Sequence, residues 1–126
     1  EGDLFLMAET ALTIEKRDNV TCILLGEEFE NLDEQILDLI RGLMLETAAN
    51  ADPPRVVVNL SHTKFFGSSF IEVLFRVWKR VNSLPGGRFS ISGLTPYCRE
   101  VLEVTHLDTL WELHDNLDDA VAALKG

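Results

Sequence analysis

Ser68 and Ser69 are the residues of this chain whose type and position best suit covalent chemistry. They lie in Asn59-Leu60-Ser61-His62-Thr63-Lys64-Phe65-Phe66-Gly67-Ser68-Ser69-Phe70, which joins an apolar run to a strongly amphipathic stretch. Serines at a helix start suit phosphorylation. The free N–H groups and positive dipole end there stabilise added negative charge, by ~0.3–1 kcal/mol where exposed. The same residues also admit a purely structural role. Ser69-Phe70-Ile71-Glu72 has the spacing of a capping box, in which Ser69 accepts from the N–H of Glu72 and Glu72 reaches back. The two readings differ in what the Ser69 hydroxyl touches.

Other chemistries lack their residues. His62, His106 and His114 fall in three separate segments, without HxxxH or HExxH spacing, so no metal is expected. There is no Walker loop and no GxGxxG, and Pro85-Gly86-Gly87 follows a helix rather than opening one, the wrong side for cradling phosphate. GxSxG is absent, and neither cysteine has a convincing histidine partner. Cys22 and Cys98 are far apart and read as packing residues. The acidic pairs Glu27-Glu28 and Asp118-Asp119 are adjacent, so their side chains diverge. A non-enzymatic protein without cofactor is expected. A small enzyme on this scaffold would have to use polar residues of the Asn59–Ser69 loop.

The elements that position the serines follow from periodicity. Ala11 to Lys16 and Val20 to Leu25 read as two strands joined by a turn at Arg17-Asp18-Asn19, hence an antiparallel hairpin. Leu32, Ile36, Leu39, Ile40 and Leu43 then recur at helical spacing, with Asn31 as expected N-cap and Glu34 three residues on. Arg55 to Leu60 has the continuous apolar centre of a strand covered on both faces. A second helix is expected from about Ser69 to Ser83, with Ile71, Leu74, Phe75, Trp78 and Val81 as its apolar stripe. Glu72, Arg76, Lys79 and Arg80 fall on the opposite arc, a candidate docking face below the serines. Arg88 to Ile91 is a further strand, and Thr95-Pro96 opens a third helix as N-cap and first residue. Thr109 to Leu113 reads as a last strand, and Asn116 caps a last helix. The order β-β-α-β-α-β-α-β-α requires crossovers, so an α/β fold is expected: an N-terminal antiparallel hairpin, then parallel strands, flanked by about four helices.

The 126 residues fit one domain, read as 11–126, with 1–10 as an extension of processed or added sequence. The chain carries 11 basic and 21 acidic residues, a net charge of −10, which argues against nucleic acid and anionic membranes as partners. No apolar run reaches the ~20 residues of a membrane span, and with its cysteine usage the protein reads as cytoplasmic. Charge is unevenly spread: −9 over residues 1–50, +4 over 51–100 and −5 over 101–126. A basic middle inside an acidic protein steers an acidic partner to one face, or is a solvated helix face without a partner.

The stretch VVVNLSHTKFFGSSFIEVL resembles the strand, loop and helix start of STAS domains, the family of bacterial anti-sigma factor antagonists. The resemblance continues through GLTPYCREVLEVTHLDTLWELHDNLDDAVAAL and covers Ala11 to Leu124. It implies a mixed sheet with helices mainly on one side, no enzymatic activity, and partner switching in signal transduction and transcription regulation. In such a switch a serine/threonine kinase-like anti-sigma factor is bound when the domain is unmodified, and a phosphatase reverses phosphorylation. The implied acceptor is Ser69, with Ser68 second, and the implied partner surface is Lys64, Gly67, Ser68, Ser69, Phe70, Glu72 and Arg76. The family's Asp-Ser-Ser/Thr-Gly motif is altered here: its Asp is Gly67, its Gly is Phe70, and Glu72 stands where a small residue is usual. STAS domains also occur as constitutive adapter subunits in transport and other protein complexes. On that reading Phe70 is an exposed hydrophobic anchor and Ser69 only a cap.

Overall fold

The computed structural model describes residues 12–125, so Ala11 and the extension expected at 1–10 lie outside them. Strands β1 (Leu12–Arg17) and β2 (Val20–Leu25) form the expected hairpin. Arg17 faces Val20 across it, which leaves Asp18 and Asn19 as a two-residue turn with φ of 51° and 70°. Positive φ at both turn positions matches the twist of the flanking strands, and Asp and Asn tolerate it best among residues with a Cβ. Then follow β3 (Asn31–Leu32), α1 (Glu34–Asn50), β4 (Arg55–Asn59), β5 (Phe65–Phe66), α2 (Ser68–Asn82), β6 (Arg88–Ser92), α3 (Pro96–Val104), β7 (Glu112–His114) and α4 (Leu117–Lys125).

The main sheet has the order β1-β2-β4-β6-β7 and is antiparallel only at its hairpin. Successive residues of β4 point to opposite faces, and both faces are covered. Val56 and Val58 join a large core with Leu37 and Ile40 of α1 and Leu74 and Val77 of α2. Val57 joins a smaller one with Val20, Cys22 and, from α4, Ala120, Val121 and Leu124. The continuous apolar run of β4 is thereby explained. Helices α1 and α2 cover one face and α4 the other. Among the described residues no helix is long and apolar enough to cross a membrane.

Several local expectations are corrected. Asn31 is not the cap of α1. It lies in β3, and Asp33 caps the helix by accepting from the Ile36 N–H at 3.0 Å. The buried row of α1 is Leu37, Ile40, Met44 and Ala48, while Leu39 is 47% exposed. In α2 the buried row is Phe70, Val73, Leu74, Val77 and Val81, and Phe75 is 37% exposed, packed edge-on against Trp78 and Trp111. Apolar residues cover more than half of each helix, so spacing leaves the angle of the buried face open and contact with the sheet decides it. The last strand begins at Glu112, later than expected. A 3-10 turn at Leu107–Thr109 precedes it and delivers Trp111 into the core. Thr95 and Asn116 cap α3 and α4 as expected, accepting from the N–H of Cys98 and of Asp119.

Leu124 is fully buried in the last turn of α4, whose carbonyls at Ala123, Leu124 and Lys125 are held by the Arg88 and Arg55 guanidiniums, so the turn cannot easily collapse onto a gap. Leu124→Ala is therefore expected to cost about 3–5 kcal/mol in urea unfolding.

Candidate functional site

The loop after β4 is anchored at every step. Leu60 N–H donates to the Ser92 carbonyl at 2.9 Å, and the Asn59 side chain bridges Ser61 Oγ (2.9 Å) and Ser92 Oγ (2.8 Å). Gly93 lies against this bridge with φ of +74°. A Cβ there would stand 2.9 Å from Asn59 Oδ1 and 3.0 Å from Ser61 Cβ, so only glycine meets both demands. Thr63 is fully buried, and its hydroxyl donates to the Phe29 carbonyl at 2.9 Å. Lys64 N–H and Phe65 N–H both donate to the Glu30 carbonyl, at 2.8 and 3.1 Å. Phe65 and Phe66 then pair in parallel with Asn31 and Leu32. This short second sheet was not expected from the sequence, which read both stretches as loop and helix start.

Helix α2 begins at Ser68 with Gly67 as N-cap, one residue earlier than expected. No side chain caps it. The Gly67 carbonyl accepts from Phe70 N–H (3.1 Å) and Ile71 N–H (3.2 Å). The expected Ser69–Glu72 capping box is therefore absent. Ser69, half-buried, donates its hydroxyl to the Glu34 carboxylate at the start of α1, and Glu72 pairs with Arg76 at 3.6 Å. Ser68 is exposed. Gly67 has φ of −113° and open space where a Cβ would lie, so an aspartate would fit there, and its absence alters the charge of the site without altering the fold.

The expected partner residues are thus only partly on one surface. Lys64, Gly67, Ser68, Glu72 and Arg76 are exposed, and Ser69 is partly so. Phe70 is fully buried and packs at a tilt against Phe66, with ring centroids 5.3 Å apart, so the exposed anchor of the adapter reading is corrected to a core residue. It faces inward because it lies on the same arc of α2 as Leu74, Val77 and Val81, which pack into the core against the sheet. The exposed aromatics nearby are Phe65 and Tyr97, 53% and 52% exposed and packed edge-on at 5.5 Å. The basic arc is reduced by its neighbours: Lys64 pairs with Glu30 at 3.0 Å and Arg76 with Glu72. A polar depression of about 380 Å³ lies beside the loop, lined by Glu27, Glu30, Ser61, His62, Lys64 and Thr95. Among the described residues no group of three or more His, Cys, Asp or Glu could hold a metal ion.

Cys98 is buried under the loop, with Sγ 3.5 Å from the Lys64 carbonyl and 3.7 Å from that of Thr63. Burial pushes its thiol pKa up, partly opposed by the Thr95 hydroxyl. Cys22 is raised by burial as well. Both are packing residues, not nucleophiles.

The model of the STAS domain family matches residues 11–120. The chain belongs to the STAS domain family. Among solved structures, this STAS domain is similar to an anti-sigma-factor antagonist (STAS) domain protein from Planctomyces limnophilus, 35% identical, covering 91% of this chain and 98% of that one with a TM-score of 0.87. A putative anti-sigma factor antagonist from Thermotoga maritima, 18% identical, covers 94% and 97% with a TM-score of 0.80. The Bacillus cell fate determinant SpoIIAA in its phosphorylated form, 20% identical, covers 90% and 98% with a TM-score of 0.65. The last two share the fold. No curated protein matches the sequence.

Two outcomes check this geometry. Phe70→Ala is expected to destabilise the domain by about 3–5 kcal/mol in chemical denaturation, as for a buried aromatic and unlike a surface anchor. Both thiols are expected to resist alkylation at neutral pH in the native protein and to react once it is unfolded, as followed by mass spectrometry.

Proposed function

We propose that this STAS domain is a non-enzymatic anti-sigma factor antagonist. It binds a serine/threonine kinase-like anti-sigma factor while Ser69 is unmodified, lets it go once Ser69 is phosphorylated, and is reset by a phosphatase. What carries the reading is the position of Ser69: second residue of an uncapped helix, partly exposed, with a hydroxyl that is not spent on capping. The 35% identical Planctomyces protein, an anti-sigma-factor antagonist over nearly its whole length, supports it.

The chemistry is a simple group transfer. Ser69 Oγ attacks the γ-phosphorus of a nucleoside triphosphate held by the kinase, the bond from that phosphorus to the nucleoside diphosphate leaving group breaks, and the hydroxyl proton passes to a base of the kinase and on to solvent. The product adds about −1.5 to −2 charge where Glu34, Asp33 and Glu72 already stand on the adjoining turns. The dipole of α2 tolerates that charge within the fold. An interface packed over the serine would not, because the phosphate would have to be desolvated beside carboxylates. A constitutive adapter remains the alternative, with Phe65 and Tyr97 in place of Phe70 as its exposed apolar contact.

Wild-type, Ser69→Ala and Ser69→Asp proteins used as baits in native-host lysate, compared by quantitative mass spectrometry, separate the two. The switch predicts a kinase-like ATPase held by wild type and Ser69→Ala, and reduced at least about tenfold with Ser69→Asp. A partner held equally by all three makes the domain an adapter.

A further inference from the structure

We propose that Glu34 is a working part of the Ser69 site: its carboxylate holds the serine hydroxyl in the unmodified protein and is expelled when position 69 becomes negative, carrying the change to α1. This rests on Ser69 being the modified residue. Glu34 and Ser69 are 35 positions apart in the chain, and β3 and β5 bring them together. The parallel pair ends at Leu32 and Phe66, and within two residues each strand gives way to a helix, α1 at Glu34 and α2 at Ser68. Parallel strands lead both helices off in the same sense, so two helix N-termini start side by side.

The Glu34 carboxylate therefore stands where two helix N-termini meet, beside the Asp33 carboxylate that already caps α1, so a charge added at position 69 must compete with it for the free N–H groups. Among the described residues Glu34 takes part in no ion pair, and Lys64 and Arg76 pair with Glu30 and Glu72 instead. Among the described residues no cation pairs with Glu34 to hold a carboxylate and a phosphate together. The hydrogen bond also cannot survive modification. Ser69 Oγ donates its only hydrogen to Glu34, and that hydrogen is lost when the Oγ–P bond forms. Attraction is replaced by repulsion at the same contact. The nearest backbone to respond is the first turn of α1, where Ile36 N–H is held by Asp33 Oδ1 and Leu37 N–H by the Asp33 carbonyl, each at 3.0 Å.

Hydrogen exchange of the Ile36 and Leu37 amides, followed by NMR on the isolated domain, tests this without any partner. Ser69→Asp is expected to speed both by about two- to fivefold over wild type, the scale of an exposed charge pair. Ser69→Ala removes the bond without adding charge and is expected to have a clearly smaller effect. In Ser69→Asp/Glu34→Gln the acceleration over Glu34→Gln should vanish. No acceleration in Ser69→Asp, an equal one in Ser69→Ala, or one that persists in the double variant overturns the proposal. Because no kinase is present, these results are independent of whether Ser69→Asp loses its partner, so failure of the coupling and failure of the switch are told apart.

Discussion

The carbonyl of Glu30 accepts two backbone N–H groups from the loop after β4, and the two-residue β3–β5 pair continues that seam into the starts of two helices. Each such bond contributes a net ~0.5–1.5 kcal/mol, so none of them alone decides stability. Together they decide position. The seam lets Thr63 be fully buried with its hydroxyl satisfied, seats Phe66 over Phe70, and sets Gly67 where α2 must start. Slide the pair by one residue and Phe65 and Phe66 exchange faces, Phe66 leaves its place against Phe70, and Ser69 no longer meets Glu34.

Electrostatics at the site follow from that placement rather than from overall charge. The basic middle of the sequence is largely answered by its own surroundings, Lys64 by Glu30 and Arg76 by Glu72, while Lys79 and Arg80 sit in the last turn of α2, where its dipole favours cations. What reaches the surface around Ser69 is a mixture of carboxylates, an exposed aromatic pair and an uncapped helix start. Such a surface can pack against a protein when neutral at position 69, and is poorly suited to doing so when an added phosphate must be stripped of water there. Gly67 leaves the position before the serines without the carboxylate usual in the family motif. Glu34 brings one to the same hydroxyl from another helix.

The strands of the main sheet and their sense, an antiparallel hairpin followed by parallel strands, were legible because they depend on strong local signals: the Asp18-Asn19 turn, the continuous apolar centre of β4, and the Thr95-Pro96 and Asn116 helix starts. The site was legible as a place but not as an arrangement. Ser69 had the spacing of a capping box, yet the helix begins at Ser68 and the hydroxyl turns to a residue 35 positions away. No local pattern marks Glu34 as its partner. Finding it requires the register of two strands too short to show alternation. Phe70 was misplaced for a different reason: as an adapter anchor it was read from its place beside the serines, although about 100° per residue puts it within about 40° of Leu74 and Val81 in the buried row.

The measurement that tests the account most directly is phosphosite mapping of the protein purified from its native host across growth and stress conditions. A phosphate on Ser69 whose occupancy changes with condition is the predicted result. Modification confined to Ser68, or neither serine modified under any condition, would contradict it.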